Sequence, residues 1–329
     1  MKTSRLFVGP VGLGALAAVL VGCAGADHSA DADRLRSDLA ALPGVAQVKL
    51  DYAGPIVLDS AKVAIEVEMT EEAETSDAVA VVVRAYEAFS STHDQEEGDV
   101  TVRLGDDVVH LRSFKPDAEV TAVEEALDRA AEVLPEGVVS ADVNTQDVTN
   151  WPHVETTFTV TPMPARPGDG AERVLETLTR LEQEHGDIER AGWRVETRRA
   201  PRWSLGATTG FPGPKDRRLF RQLGDSAAPG AGVQVIEDFV AVELPRGTDP
   251  QRASAMAEQH LALLGGARKA FYDVNGRRSY HAMMSAGDCY FSTSAVGRRL
   301  LDDFGQQCRE VNDDADPGDT DPGDTDEAG

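Results

Sequence analysis

Three kinds of side chain in this sequence could do specific chemistry. They are the thiols of Cys23, Cys289 and Cys308, seven scattered imidazoles, and a stretch of interleaved guanidinium and indole groups. That stretch runs from Arg190 to Arg221 and holds nine basic residues against two acidic ones. In the strand-like segment WRVETR, Arg194, Glu196 and Arg198 fall on one face and Trp193, Val195 and Thr197 on the other. Guanidinium forks match phosphate and carboxylate oxygens two at a time, and indoles suit an interface that is half apolar. Arg194, Arg198, Arg199 and Arg202, with Trp193 and Trp203, are therefore the candidate anion-binding surface. The competing reading is internal: the same arginines could pair with the acidic faces that so acidic a chain supplies in excess.

The histidines, at 28, 93, 110, 153, 185, 260 and 281, have no sequence neighbours that make a dyad. His185 and His260 lie near the ends of predicted helices, where a positive charge would suit the helix dipole. His110, His153 and His281 lie in predicted strands. The sequence has no H-E-x-x-H, G-x-S-x-G or phosphate-cradling glycine loop, so no catalytic residue, cofactor or metal is assigned. Cys289 as a nucleophile near His281 finds no further support. The cysteines form no C-x-x-C, which argues against a metal site. Glu66 and Glu68 share one strand face; buried together they would raise a pKa, but a solvated outer sheet face is the expectation.

These residues sit in a chain of 329 with net charge −25 and 41% apolar residues. Such a field repels nucleic acid, and no nucleic-acid partner is expected. The length allows two or three folded bodies.

An element order recurs about every 90 residues. The segment DADRLRSDLAAL reads as a helix through Leu35, Leu39 and Leu42. PGVAQVKLDY and AKVAIEVEM read as strands, the second alternating Val63, Ile65, Val67 and Met69 against Lys62, Glu66 and Glu68. A helix follows, with Thr75 or Ser76 as its cap, and then one strand or a hairpin. A second unit repeats this order, and a less regular third includes a helix capped by Asp249 with Pro250 at its first position. Glycines 44, 137 and 232 stand at the same place in the three units. The fold expected is α+β: three related helix-strand-strand-helix-strand sandwich units, each with two helices on one face of a small sheet. One mixed domain whose elements alternate by chance is the alternative.

The N-terminal residues resemble a bacterial lipoprotein signal. Lys2 and Arg5 precede an apolar run from Leu6 to Val21, and Leu20-Val21-Gly22-Cys23 resembles the lipobox. The resemblance implies diacylglycerol on the Cys23 thiol, cleavage after Gly22, and residence at the outer face of the cell membrane. An ordinary secretory signal cut near Ala24 or Ala26 is the alternative. A transmembrane anchor is disfavoured by the glycines and the proline within a short run. With Cys23 lipidated, Cys289 and Cys308 remain as an even pair in an oxidising compartment, which implies a disulfide between them; two free buried thiols are the alternative. Composition gives the chain an actinobacterial look. The helix-strand-strand-helix-strand order also resembles, by topology alone, the envelope modules called BON domains.

The resulting plan is a signal peptide over 1–22, a lipidated tether over 23–30, units over 31–115, 116–213 and 214–312, the last with the disulfide, and an acidic tail over 313–329. The tail repeats DPGDT and is expected to be disordered. The expected role is a non-catalytic binding or interaction module of the cell envelope that contacts anionic lipid, a wall polymer or an envelope protein. The alternatives are an envelope hydrolase with a site assembled from distant residues, and a purely structural spacer.

Overall fold

The computed structural model describes residues 27–55, 60–114, 116–145, 154–162, 170–198, 200–266, 270–285 and 287–312. Cys23 with the lipobox, Arg199 and the tail over 313–329 lie outside the described residues. The chain is mixed α/β. Its helices are α1 (Ser29–Ala40), α2 (Thr75–Ser91), α3 (Val120–Val133), α4 (Gly170–His185), α5 (Pro214–Ser226), α6 (Pro250–Leu263) and α7 (Ala295–Phe304). The strands are β1 (Val45–Ala53), β2 (Lys62–Met69), β3 (Glu97–Leu104), β4 (Asp107–Ser113), β5 (Val138–Asn144), β6 (Glu155–Thr161), β7 (Ala191–Glu196), β8 (Ser204–Ala207), β9 (Gly232–Ile236), β10 (Phe239–Leu244), β11 (Phe271–Gly276), β12 (Ser279–Ser285), β13 (Asp288–Phe291) and β14 (Glu310–Asn312).

All fourteen described strands join one sheet, in the order of the sequence. Pairing alternates: β1/β2, β3/β4, β5/β6, β7/β8 and β9/β10 are antiparallel hairpins, and β2/β3, β4/β5, β6/β7, β8/β9 and β10/β11 are parallel. Each parallel step is bridged by one helix, as a parallel connection requires. Helix, strand, strand thus recurs about every 45 residues, a length common among repeat proteins. This is half the expected period: where the sequence allows one strand or a hairpin, β3/β4 is a hairpin, so each helix from α1 to α5 is followed by two strands. A single sheet also runs through the three regions where the sequence suggests small separate sheets.

The alternation in β2 explains the layering. Val63, Ile65 and Val67 are buried, and Lys62, Ala64 and Glu66 are exposed. The same division holds along the sheet, with Val100 and Val102, Val109 and Leu111, Val139, Ala141 and Val143, and Val233 and Val235 all in one hydrophobic cluster. Each helix adds its apolar stripe to that cluster, for example Leu35 and Leu39 of α1 or Leu178 and Leu181 of α4. Parallel crossovers keep one hand, so successive helices arrive on the same side. Among the described residues no helix covers the other, bare face of the sheet.

The α6 terminus forms as expected: the Asp249 carboxylate accepts from Arg252 N at 3.0 Å, with Pro250 at the first helical position. At α2 the cap is Glu74 rather than Thr75 or Ser76, and Asp77 accepts from Glu74 N at 2.9 Å. An acidic side chain three residues in outcompetes the hydroxyls. Cys289 and Cys308 form a disulfide, with Cα atoms 5.8 Å apart. Among the described residues no helix is long and apolar enough to cross a membrane.

Candidate binding face

Register decides which residues meet on the bare face. Across the middle of the sheet one row runs Thr101, His110, Asp142, Thr157 and Gly192. The next runs Val108, Ser140, Thr159, Arg194, Gly206 and Ile236. Each of these residues alternates with a buried neighbour and so belongs to the bare face, where Gly192 and Gly206 are themselves covered, by the Thr208 backbone and the Arg194 side chain.

His110 is the electrostatic centre of the first row. Its Nδ1 lies 3.1 Å from Asp142 Oδ1 and its Nε2 3.1 Å from Asp99 Oδ1, so both ring nitrogens face carboxylates. The hydrogen bond to Asp142, then the one to Asp99, holds the imidazolium, and its pKa is pushed up to about 9. In return the His110 hydrogen bond holds the Asp99 carboxyl below its usual range. His110 is therefore a fixed cation at neutral pH. Its folded pKa lies above the unfolded value, so its stabilising contribution is present below about pH 6.5 and is lost as pH rises through about 9. The expected result of an NMR titration is an imidazole still protonated at pH 8 in the native protein, moving back toward 6.5 in Asp142→Asn.

Arg194 lies over Gly206. A Cβ built on Gly206 would stand 2.9 Å from the Arg194 Cβ, so only glycine lets the arginine stem lie flat on the sheet. Its Nε donates to Ser204 Oγ at 2.8 Å and its Nη2 pairs with Glu196 at 2.9 Å. His110, Arg112, Asp142, Asn144, Thr157, Thr159, Arg194 and Gly206 line a shallow depression of about 390 Å³. A second depression of about 660 Å³ lies on the same face, lined by Arg198, Arg202, Arg277, Gln234, Ala241, Glu243 and Asn275. Gln234 and Ile236 of β9 belong one to each, so the two depressions adjoin. The backbone of Arg202 crosses directly over Gly232, where a Cβ would collide with it.

The sequence-predicted residues are thus partly brought together. Arg194, Arg198 and Arg202 share the bare face, with Arg198 3.4 Å from Asp106. Trp193 and Trp203 belong to the opposite side. Trp193 is fully buried between Phe158, His185 and Phe211, and Trp203 packs edge-on to Phe220. His110, Arg112 and Arg277 do not stand out in the sequence, because only strand register places them beside the arginines. Glu66 and Glu68 lie on the bare face near Lys49 and Arg103, each pair at 3.6 Å.

Three polar groups elsewhere are engaged internally. Glu136, Glu184 and His185 converge, but Arg180 pairs with both glutamates and His185 Nε2 lies 3.4 Å from Glu136, so the group is engaged internally. Ser294 Oγ lies 2.9 Å from His281 Nδ1, yet it accepts from Gly297 N at 2.9 Å and caps α7. His260 does not serve the helix dipole: it is fully buried against Tyr272 and the Leu223 carbonyl, and burial lowers its pKa to about 4. No family model matches this chain, and neither a curated protein nor a solved structure is significantly similar to it.

Proposed function

We propose that the chain is an exported lipoprotein, held at the outer face of the cell membrane by diacylglycerol on Cys23, whose body is a non-catalytic module that binds an anionic, phosphate-bearing wall polymer. One observation carries this reading: His110, Arg112, Arg194, Arg198, Arg202 and Arg277 line two adjoining depressions on the bare sheet face of a chain with net charge −25. Arg202 and Arg277 form no ion pair among the described residues, which leaves their guanidinium forks open to phosphate. The depressions are shallow and elongated together, which suits a strand of polymer better than a small substrate. Asp142, Glu196 and Glu243 interrupt the cations. A flat lipid surface would press headgroup phosphates against these carboxylates, whereas a single chain can pass between them. The lipobox residues support the location, and the absence of a catalytic motif in the sequence supports binding over hydrolysis.

The finer reading of the fold belongs to the same proposal. The body comprises three related units of about 90 residues, each made of two helix-strand-strand repeats. The equivalent stations of Gly44 and Gly137, just before β1 and β5, and of Gly232 at the start of β9 support it.

The test is binding of polyphosphate, with neutral dextran and anionic phospholipid vesicles in parallel. The combined variant Arg198→Gln, Arg202→Gln, Arg277→Gln should bind polyphosphate at least about tenfold more weakly, with a shallower dependence on salt. Equal affinity in variant and parent would sink the polymer reading. Vesicle binding that falls in step with the variant would move the ligand to lipid. Cys23→Ala should release the chain from the membrane fraction, and continued membrane residence would reject the anchor.

A further inference from the structure

The sheet has two edges, and they are unlike. β14 is three residues long, while β1 has nine and pairs with nothing but β2 among the described residues. The outer edge of β1 therefore presents a row of backbone N–H and C=O groups with no strand beside them among the described residues, which invites another strand. We propose that this edge pairs with the β1 of a second copy of the same chain, antiparallel, with Leu50 opposite Leu50 on a two-fold axis.

Charge complementarity selects both the partner and the register. On the bare face β1 carries Gln47, Lys49 and Asp51, and on the helix face Val48, Leu50 and Tyr52. Residues directly opposite each other in an antiparallel pair point to the same face. With Leu50 on the axis, Lys49 of each copy meets Asp51 of the other, twice. Val48 of each copy meets Tyr52 of the other, also twice. Sliding by one residue either way along each strand puts Lys49 against Lys49 or Asp51 against Asp51. Lys49 and Asp51 are exposed, and Asp51 has no ion pair among the described residues. Val48, Leu50 and Tyr52 are only half-buried in one copy and would be covered by the second. The bulge in β1 falls between Val45 and Gln47, outside the paired stretch.

The axis stands perpendicular to the sheet, so the helices of both copies lie on one side and the two cationic faces on the other. The His28 amide donates to the Tyr52 hydroxyl at 3.0 Å. His28 of both copies thus lies on the same side of the joined sheet, close to the axis. The dimer does not depend on the lipid or the polymer reading, and its test is independent of both.

The experiment is light scattering during size-exclusion chromatography of the full chain in detergent. The parent should run as two chains per particle. Lys49→Asp and Asp51→Lys, each alone, set like charges opposite one another twice and should give one chain per particle. The double variant Lys49→Asp, Asp51→Lys exchanges the charges and should restore two. Circular dichroism should be native in all four, since both residues are exposed. The new carboxylate at position 49 faces Glu66 in the Lys49→Asp variant and in the double variant alike, so that repulsion cancels from their comparison. A parent that stays monomeric at high micromolar concentration, single variants that stay dimeric, or a natively folded double variant that stays monomeric would each overturn the pairing.

Discussion

Replacing Trp193 with alanine is expected to destabilise the protein by about 3–5 kcal/mol, the usual cost of removing a large aromatic side chain from a closed core. Trp193 is fully buried on β7, with ring centroids 4.7 Å from Phe158, 4.5 Å from Phe211 and 6.0 Å from His185. The neighbouring backbone cannot collapse to fill the space, because β7 is hydrogen-bonded to β6 and β8 on both sides. For a chain of this size the melting temperature should fall by roughly 10 °C. Differential scanning calorimetry measures the loss, and polyphosphate binding of the folded variant at low temperature should be unchanged. This separates a core role from an interface role. An interface tryptophan would give the reverse pattern, with an unmoved melting temperature and weakened binding.

Replacing both Cys289 and Cys308 with alanine is expected to cost about 3 kcal/mol, the chain-entropy value for opening a loop of this size. The bond ties the core of β13 to the segment after α7, across 19 residues. Its loss should be felt locally. Hydrogen exchange should accelerate in α7, β13 and β14, while β1 to β4 keep their protection, because the two regions share no strand pairing. Uniform acceleration throughout the sheet would show that the disulfide holds the whole body rather than its end.

How much of this is legible in the sequence varies by element, for physical reasons. β2 can be read residue by residue, because one covered face and one bare face force strict alternation. α6 announces itself through Asp249 and Pro250, whose preference for a helix start is local. The shorter period of about 45 residues is hard to see because the sequence leaves one strand or a hairpin open where β3 and β4 lie, and their turn is only Gly105 and Asp106. Gly105, at φ +63°, is the residue that marks the turn. His260 is drawn to a helix end by position alone. Its spacing from Ala253, Met256 and Ala257, all buried, puts it on the core stripe of α6. Trp193 stands opposite Arg194 in the strand pattern, and a one-sided sheet makes that opposition decisive: one of the two had to be core. The candidate face is least legible. Arg194 and Arg198 can be found by local charge, but His110 and Arg277 reach the same face through pairings that link β4 to β5, β10 to β11 and every strand between.

The order of strands along the sheet also governs what happens when the protein is pulled. Every described strand is bonded only to its immediate neighbours in the sequence, so none of them clasps two distant parts of the chain. A load applied between the N-terminal region and a ligand on the bare face is carried by one pairing after another, like links in series. The weakest pairing sets the breaking force, and strands beyond the loaded stretch feel nothing. Lengthening the body by one more repeat would add a link without altering any existing one, so reach can change while strength stays the same.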